Sequence, residues 1–550
     1  MTIPQPKVYP DLLDVRKRKN LDLRPSAFLR ETYHDPYTGE DLAFRLRDYQ
    51  TIGAFHLLQM RRFVLGDDTG VGKTIEAISA LARVWEREDA RTVIITTKSS
   101  RRQWREEFLR FTTLRADEIL LVDGTPEARY SIYGAFGAGK GRVLILNYHL
   151  VLRDYRQLLA ALKDKRFVLI LDEVAAVKNH RAQTHKVISL VSQAADRVWG
   201  MTATLLKNRL EEGFGIYRVV VPGLFDTHAA FLRDFCVTKL QRIGPRRQIP
   251  IVVGHTAAQV QRFRATIDPY FLGRNKRDVV DDLPVLITRV IECPMETDQA
   301  QVYVDALQGA IAVEDGIEEV TPLAALTRCQ QIADSAALIQ GISCKSSPKV
   351  ETLVDLLTGD LEGQKVIVFS RFSSMVTLMA AELTRAGRTV GRITGDESEK
   401  ERAATQASFQ SADGAVDTIL MTTAGTEALN LQAASAMVFV DTPWSHGDYI
   451  QAIGRMVRIG SPHRGVLVYH LVATIPPNVG TRLAEKVMAG KETGLPTIDH
   501  LVLQKQRVKK RLIDAAVGKG DSSVLDLKSG ESLRDLYNDL VAGFRAARRL

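Results

Sequence analysis

The chain alternates short, almost wholly apolar runs with longer stretches in which apolar residues recur every three or four positions. Between residues 41 and 201 the apolar runs are 63–65, 93–96, 119–122, 143–146, 167–171 and 197–201. Runs this short and continuous read as strands buried on both faces. The stretches between them, among them 51–60 and 75–81, read as helices. Buried strands separated by helices predict a parallel sheet covered on both sides. From residue 205 to about 290 the rhythm gives way to helical, basic sequence, with 239–247 expected as a loop. A second helical segment is expected over 296–345, and Ser346-Ser347-Pro348 marks a boundary. The alternation restarts with strand candidates at 366–369, 388–393, 418–421, 437–440 and 466–469. The pattern predicts an α/β protein with two tandem parallel-sheet domains, helical insertions and a helical C-terminal tail. The expected division is an N-terminal arm 1–40, a first domain 41–295 with an insertion at about 205–290, a helical linker 296–345, a second domain 346–480 and a tail 481–550.

The first strand candidate runs into Gly66-Asp67-Asp68-Thr69-Gly70-Val71-Gly72-Lys73-Thr74, and a helix follows. Strand, glycine loop, Gly-Lys-Thr and helix form a phosphate cradle. Glycines let backbone N–H groups wrap the phosphates, the helix N-terminus faces them, Lys73 supplies a point charge, and the Thr74 hydroxyl can hold Mg²⁺. Asp67 stands where the strict pattern has Gly. A second glycine-rich stretch, Gly134 to Lys140, lacks the Ser or Thr and precedes a strand, so it is expected as a surface loop. The strand at 167–171 ends in Asp172-Glu173. Acids at the carboxyl end of a parallel strand face the ligand crevice. Asp172 is placed to hold Mg²⁺, and Glu173 to orient and deprotonate a water. In the second domain Arg455 and Arg458 are three apart, which on a helix puts both on one face. Only one sheet carries the lysine loop, so a single nucleotide between the two is expected, with these arginines as fingers toward its phosphates.

Bulk properties narrow the class without naming a substrate. The chain has 550 residues, 45% of them hydrophobic and 25% charged, as in soluble globular proteins. No apolar run is long enough to span a membrane, and the first residues lack the apolar core of a signal peptide. Cys236, Cys293, Cys329 and Cys344 form no C-x-x-C pair, which suits a reducing compartment. The net charge of +9 is compatible with a polyanionic partner. The basic run at 16–19 reads as a solvated stretch in preference to a phosphate contact, and the one at 504–511 reads equally as a docked brace or a nucleic-acid contact.

The order of the motifs resembles the Swi/Snf-type ATPases of helicase superfamily two. Leu46-Arg47-Asp48-Tyr49-Gln50 resembles the adenine-reading Gln motif. Asp67 to Thr74 resembles the family's D-E-M-G-L-G-K-T, which also has Asp where the strict loop has Gly. Ile94 to Lys98 with Trp104, Ile145 to Tyr148, and Leu171 to Asn179 resemble motifs Ia, Ib and II. Met201 to Asn208 and Arg274 to Val279 resemble later stretches of the first lobe. Val368 to Phe372, Thr422 to Leu431, Asp441 to Trp444 and Gln451 to Gly460 resemble those of the second. Val174-Ala175 replaces Ala-His after the acids. Thr426, Glu427 and Ala428 depart from motif V, and Val457 and Ser461 from the final motif. None of these changes touches Lys73, Asp172, Glu173, Arg455 or Arg458.

The resemblance implies two RecA-like lobes that bind ATP with Mg²⁺ and move along double-stranded or branched DNA. It implies nucleotide contacts at Gln50, at Asp67, Asp68, Thr69, Gly70, Val71, Gly72, Lys73 and Thr74, and at Gly425. It implies DNA contacts at Lys98, Trp104, Asn147, Arg371, Thr422 and Trp444. No stretch resembles a bromodomain or chromodomain, as expected of a compact, monomeric motor working in the cytoplasm of a prokaryotic or phage-infected cell, or in a nucleus if the source is eukaryotic. A strand-separating helicase, or a DNA-binding protein with a weak ATPase, stays open as an alternative.

Overall fold

The computed structural model describes residues 26–34, 40–206, 209–244, 247–279, 283–314, 322–339, 347–423, 430–458, 461–476, 497–517 and 526–527. They fall into two compact units, divided at residues 281/282, with 512–527 belonging to the first.

The first unit is built on a seven-stranded sheet. Its order is Phe271–Leu272, Arg62–Leu65, Arg197–Met201, Phe167–Asp172, Arg91–Thr96, Val143–Asn147 and Ile119–Leu121, and every pairing is parallel. The six strands expected here are all present. Their near-total burial explains the unbroken apolar runs, since helices cover both faces. The seventh, Phe271–Leu272, is two residues long and carries no sequence signal of its own.

The second unit holds a six-stranded, all-parallel sheet in the order Val285–Pro294, Gly465–Thr474, Ala436–Phe439, Val366–Phe369, Thr418–Met421 and Val390–Ile393. Five of these match the expected strands. The sixth, Val285–Pro294, lies in sequence assigned above to the first domain. It is an edge strand on which Val285, Ile287 and Val290 are all exposed, so its apolar residues do not alternate cleanly. Lys349 is buried in this unit, donating to Asp334 Oδ1 and to the Val440 carbonyl (2.8 Å each) and pairing with Asp499 (2.7 Å). That pair ties the start of the tail helix Ile498–Val517 to the sheet.

Four local expectations change. Residues 239–244 and 247, in the stretch 239–247 expected as a loop, lie in an antiparallel hairpin of Val237–Gly244 with Arg247–Thr256. Gly134 to Gly137 lie inside the helix Pro126–Gly137 rather than in a loop. Buried Phe136 anchors that end, and a Cβ on Gly137 would sit 3.2 Å from Ala161 Cα, so glycine permits a close helix approach. The helix His446–Ile453 stops before the two arginines. Within the tail, Asp526–Leu527 is a strand paired with the hairpin at His255 and Thr256.

Candidate phosphate-loop and acid-pair site

The strand Arg62–Leu65 delivers the chain into the loop, and the helix Lys73–Glu88 takes it out. Gly70 and Gly72 have φ of +78° and +95°, left-handed values that favour glycine. A Cβ on Gly72 would also meet Gln50 Nε2 at 2.4 Å. Gln50 Nε2 and the Tyr49 hydroxyl both donate to the Val71 carbonyl, at 3.0 and 2.7 Å. Gln50 Oε1 accepts from the Arg47 N–H at 3.0 Å. The glutamine implied to read adenine thus braces the loop. Burial pushes the Tyr49 phenol up to about 12, so it stays protonated and donating.

Asp67 is fully buried, and its partner comes from far along the chain. Arg274 donates through its backbone N–H (2.9 Å) and Nε (3.0 Å) to Asp67, and through a terminal guanidinium nitrogen to Asp67 and to Glu76 (2.9 Å). The guanidinium also reaches the Tyr49 carbonyl and lies 5.2 Å from the Tyr49 ring centre. Two carboxyls share one guanidinium, so the trio carries excess negative charge. Burial first, then Asp67, pushes the Glu76 carboxyl well above its ordinary range, with Arg274 opposing. Glu76 is thereby favoured in its protonated form. Gly53 accommodates it, because a Cβ there would lie 1.6 Å from Glu76 Oε2. In the sequence Arg274 stands out only as part of a motif, and Glu76 not at all. The buried acid replacing glycine is the available signal that a cation has to sit beneath the loop.

Lys73 Nζ donates to the Asp67 and Asp68 carbonyls at 2.8 and 2.9 Å. Burial lowers its pKa, opposed in order by Glu173, Asp67, Asp172 and Asp68. The lysine and both strand-end acids therefore share one electrostatic neighbourhood. Asp172 closes the strand Phe167–Asp172. Its Oδ2 accepts from the Thr96 hydroxyl and the Trp104 indole N–H, both at 2.8 Å, and its Oδ1 accepts from the Glu173 N–H at 3.1 Å. The Tyr148 hydroxyl donates to its carbonyl at 2.9 Å. Glu173 has φ +53°, ψ +52°, left-handed for a residue with a side chain. Such strain is held only where surrounding structure enforces it. Thr74 lies half-buried in the first turn of the loop's helix.

The residues implied as DNA contacts scatter by environment. Trp104 is 2% exposed, with its indole N–H on Asp172. It supports the acid and offers no face to a ligand. Asn147 caps the helix Tyr148–Leu162, accepting from the Leu150 N–H at 2.9 Å. Lys98 is exposed. In the second unit the Trp444 indole N–H donates to Gln330 Oε1 at 2.6 Å, Arg371 donates to the same oxygen, and the Arg371 guanidinium lies 5.3 Å from the Trp444 ring. Thr422 is buried at the end of Thr418–Met421. Arg455 is 7% exposed, while Arg458 is half-buried with Nε on the Gly454 carbonyl at 2.9 Å. The two arginines do not share a helical face. Met456 and Val457 turn into the core, and i→i+3 bonds from Arg455 to Ala452 and from Met456 to Ile453 tighten the helix end. Gly425 lies outside the described residues.

A buried phosphate loop and a strand-end acid pair in one parallel-sheet unit, followed by a second parallel-sheet unit, define a P-loop nucleotide-binding protein of two α/β units. Residues 30–337 match the SNF2-related domain and residues 348–460 the helicase conserved C-terminal domain, and the chain belongs to the SNF2-related family. It is 24% identical over 534 residues to the Saccharomyces cerevisiae nuclear protein STH1/NPS1, covering 90% of this chain and 38% of that one. It is 25% identical over 536 residues to the ISWI chromatin-remodeling complex ATPase ISW2 of the same yeast, covering 90% and 44%. The chain spans less than half the length of the curated relatives it matches. Among solved structures, the Sulfolobus solfataricus SWI2/SNF2 ATPase core in complex with dsDNA is 22% identical, with a TM-score of 0.38, covering 85% of this chain and 95% of that one.

Proposed function

We propose that the chain hydrolyses ATP on the loop of its first unit and uses the energy to translocate along duplex DNA. The observation that carries this reading is the grouping of Lys73 with Glu173 and Asp172 behind a loop whose glycines take left-handed turns. The donor set suits a nucleotide with a hard divalent cation. Lys73, resting on two loop carbonyls, is a cation ready to exchange them for phosphate oxygens. Thr74 and Asp172 would hold Mg²⁺, whose charge would neutralise the phosphates. Thr96 and Trp104 orient Asp172 for that task. Glu173 takes the proton of the attacking water. We assign Arg455 and Arg458 to the charge that builds on the transferred phosphoryl group. The chromatin-remodeling complexes in the relatives' names support double-stranded DNA as the track. The compartment is then the one that holds the DNA, the cytoplasm of a cell without a nucleus or the nucleus of one that has it.

ATP turnover measured against duplex, single-stranded and forked DNA and against RNA tests this reading, together with displacement of a third strand from a triplex. Duplex DNA is expected to stimulate most, without sequence preference, because phosphate contacts carry no sequence information. Triplex displacement is expected to require ATP. Efficient opening of a plain duplex without triplex displacement would instead make the protein a strand-separating helicase.

A further inference from the structure

In an open parallel sheet, ligands bind in the crevice outside the carboxyl ends of neighbouring strands whose onward connections leave to opposite sides. In the second unit Val366–Phe369 and Ala436–Phe439 are such a pair. The chain leaves the first for Val390–Ile393 on one side of the sheet, and the second for Gly465–Thr474 on the other. Just past these two carboxyl ends stand Arg371 and Trp444, both half-buried. Asp441 ties their loops together, accepting from the Ser370 hydroxyl at 2.5 Å and from the Arg371 N–H at 3.0 Å. The guanidinium lies 5.3 Å from the Trp444 ring centre, so the indole covers one of its faces.

A third element reaches this pair. Gln330 is fully buried on the helix Pro322–Asp334. Its Oε1 accepts from Arg371 Nη1 and, at 2.6 Å, from the Trp444 indole N–H. Two donors on one oxygen fix the orientation of the amide, because a flipped amide would set its NH₂ against both. One turn further on, Asp334 pairs with buried Lys349 at 2.8 Å, and Lys349 donates to the Val440 carbonyl at 2.8 Å. The helix is thus pinned to the segment that carries Trp444. Gln330 itself lies outside every motif quoted above.

Gln330 takes one guanidinium nitrogen and leaves two. Among the described residues, Arg371 Nε and Nη2 make no hydrogen bond. A planar fork with two donors open on one edge suits a phosphate held by two parallel bonds. Burial lowers the Arg371 pKa, opposed in order by Asp441, Asp334 and Asp448, and an arginine stays charged at any working pH. The amide oxygen is neutral, so it orients the cation without cancelling its charge.

We propose that Gln330 is a positioning residue for DNA binding, whose side-chain oxygen holds the Arg371 fork against Trp444 so that Nε and Nη2 grip one backbone phosphate at this crevice. The inference rests on the duplex-DNA reading above and adds to it a residue that touches no DNA. Duplex binding by the full chain, from about 50 to 200 mM salt, is compared for the parent, Gln330→Met, Gln330→Glu, Arg371→Ala and Q330M/R371A. Gln330→Met keeps the volume and loses the acceptor, so affinity should fall about tenfold, the scale of one hydrogen bond to a charged group. Gln330→Glu keeps an acceptor for both donors but cancels the guanidinium charge. Its affinity should fall at least as far, and its slope of log affinity against log salt should flatten by about 0.9, the share of one phosphate. With Arg371→Ala already present, Gln330→Met should change affinity less than about twofold, because the fork it holds is gone. A glutamine that merely packs gives different results. Gln330→Glu would then bind DNA as the parent does, and Gln330→Met would cost the same with or without Arg371. Either result overturns the proposal and leaves the duplex reading intact. A parent chain that neither binds duplex DNA nor is stimulated by it overturns both.

Discussion

At the residue scale, the chemistry depends on how buried charges are matched. Asp67 is legible in the sequence as a departure from the strict phosphate loop, and its reason is not, because Arg274 lies 207 residues further on. Only the fold brings the guanidinium under the loop. Arg274→Ala leaves Asp67 and Glu76 buried without their cation and should cost about 3–5 kcal/mol in urea unfolding, together with ATP binding. Removing Asp67 as well should recover part of that loss, because the surviving charge deficit is smaller. Trp104, implied at DNA by resemblance, instead braces Asp172. Trp104→Phe keeps the buried ring and removes the N–H donor, so turnover should fall about tenfold with a smaller change in ATP affinity, at a stability cost of about 1–2 kcal/mol. Histidines set the acid limit. Burial lowers His470 to about 4, with Thr442 and Tyr449 on its two nitrogens. It is neutral in the folded chain and titrates near 6.5 once unfolded. Its contribution is therefore complete above about pH 6.5 and is lost as pH falls from there through 4. His470→Asn should flatten the pH dependence of unfolding over that window by up to about 3 kcal/mol.

At the scale of elements, periodicity identifies what is buried on both sides and fails where burial is partial. The strand Phe167–Asp172 announces itself because every residue up to Leu171 is fully buried. The edge strand Val285–Pro294 and the described residues of the hairpin Val237–Gly244/Arg247–Thr256 are largely exposed or half-buried, so no hydrophobic code marks them. The spacing of Arg455 and Arg458 marks a pair but not the helical face it suggests. Local apolar residues, Met456 and Val457, pull the chain out of the helix into the core. The separation has a consequence. Arg458→Ala should slow hydrolysis by roughly 10³ with nucleotide affinity within a few-fold and no change in thermal stability. Arg455→Ala should slow it similarly and also lower the melting temperature, because its side chain is buried. Single-turnover kinetics with parallel thermal melts would separate the two, and equal stability in both variants would deny Arg455 its packing role.

For the molecule as a whole, the sequence order of short motifs carries more than any single one. The loop, the acid pair and the paired arginines each have commoner, inert explanations alone. Two parallel sheets, one with the lysine loop, support the proposal that they are parts of a motor. What the sequence does not supply is the layer behind the site, namely Arg274 and Glu76 under the loop and Thr96 and Trp104 behind Asp172. Those interactions are long-range and involve residue types that are ordinary one at a time. The net charge of +9 predicts that any DNA stimulation weakens steeply with salt. The central claim, that this site hydrolyses ATP with Glu173 as the base, is tested most directly by ATP binding and turnover in Glu173→Gln beside the parent and Lys73→Ala, with duplex DNA present. Glu173→Gln should bind ATP with Mg²⁺ as the parent does and show no steady turnover, since it keeps the shape and lacks the base. Lys73→Ala should neither bind nor turn over ATP. Turnover by Glu173→Gln near the parent rate would contradict the account.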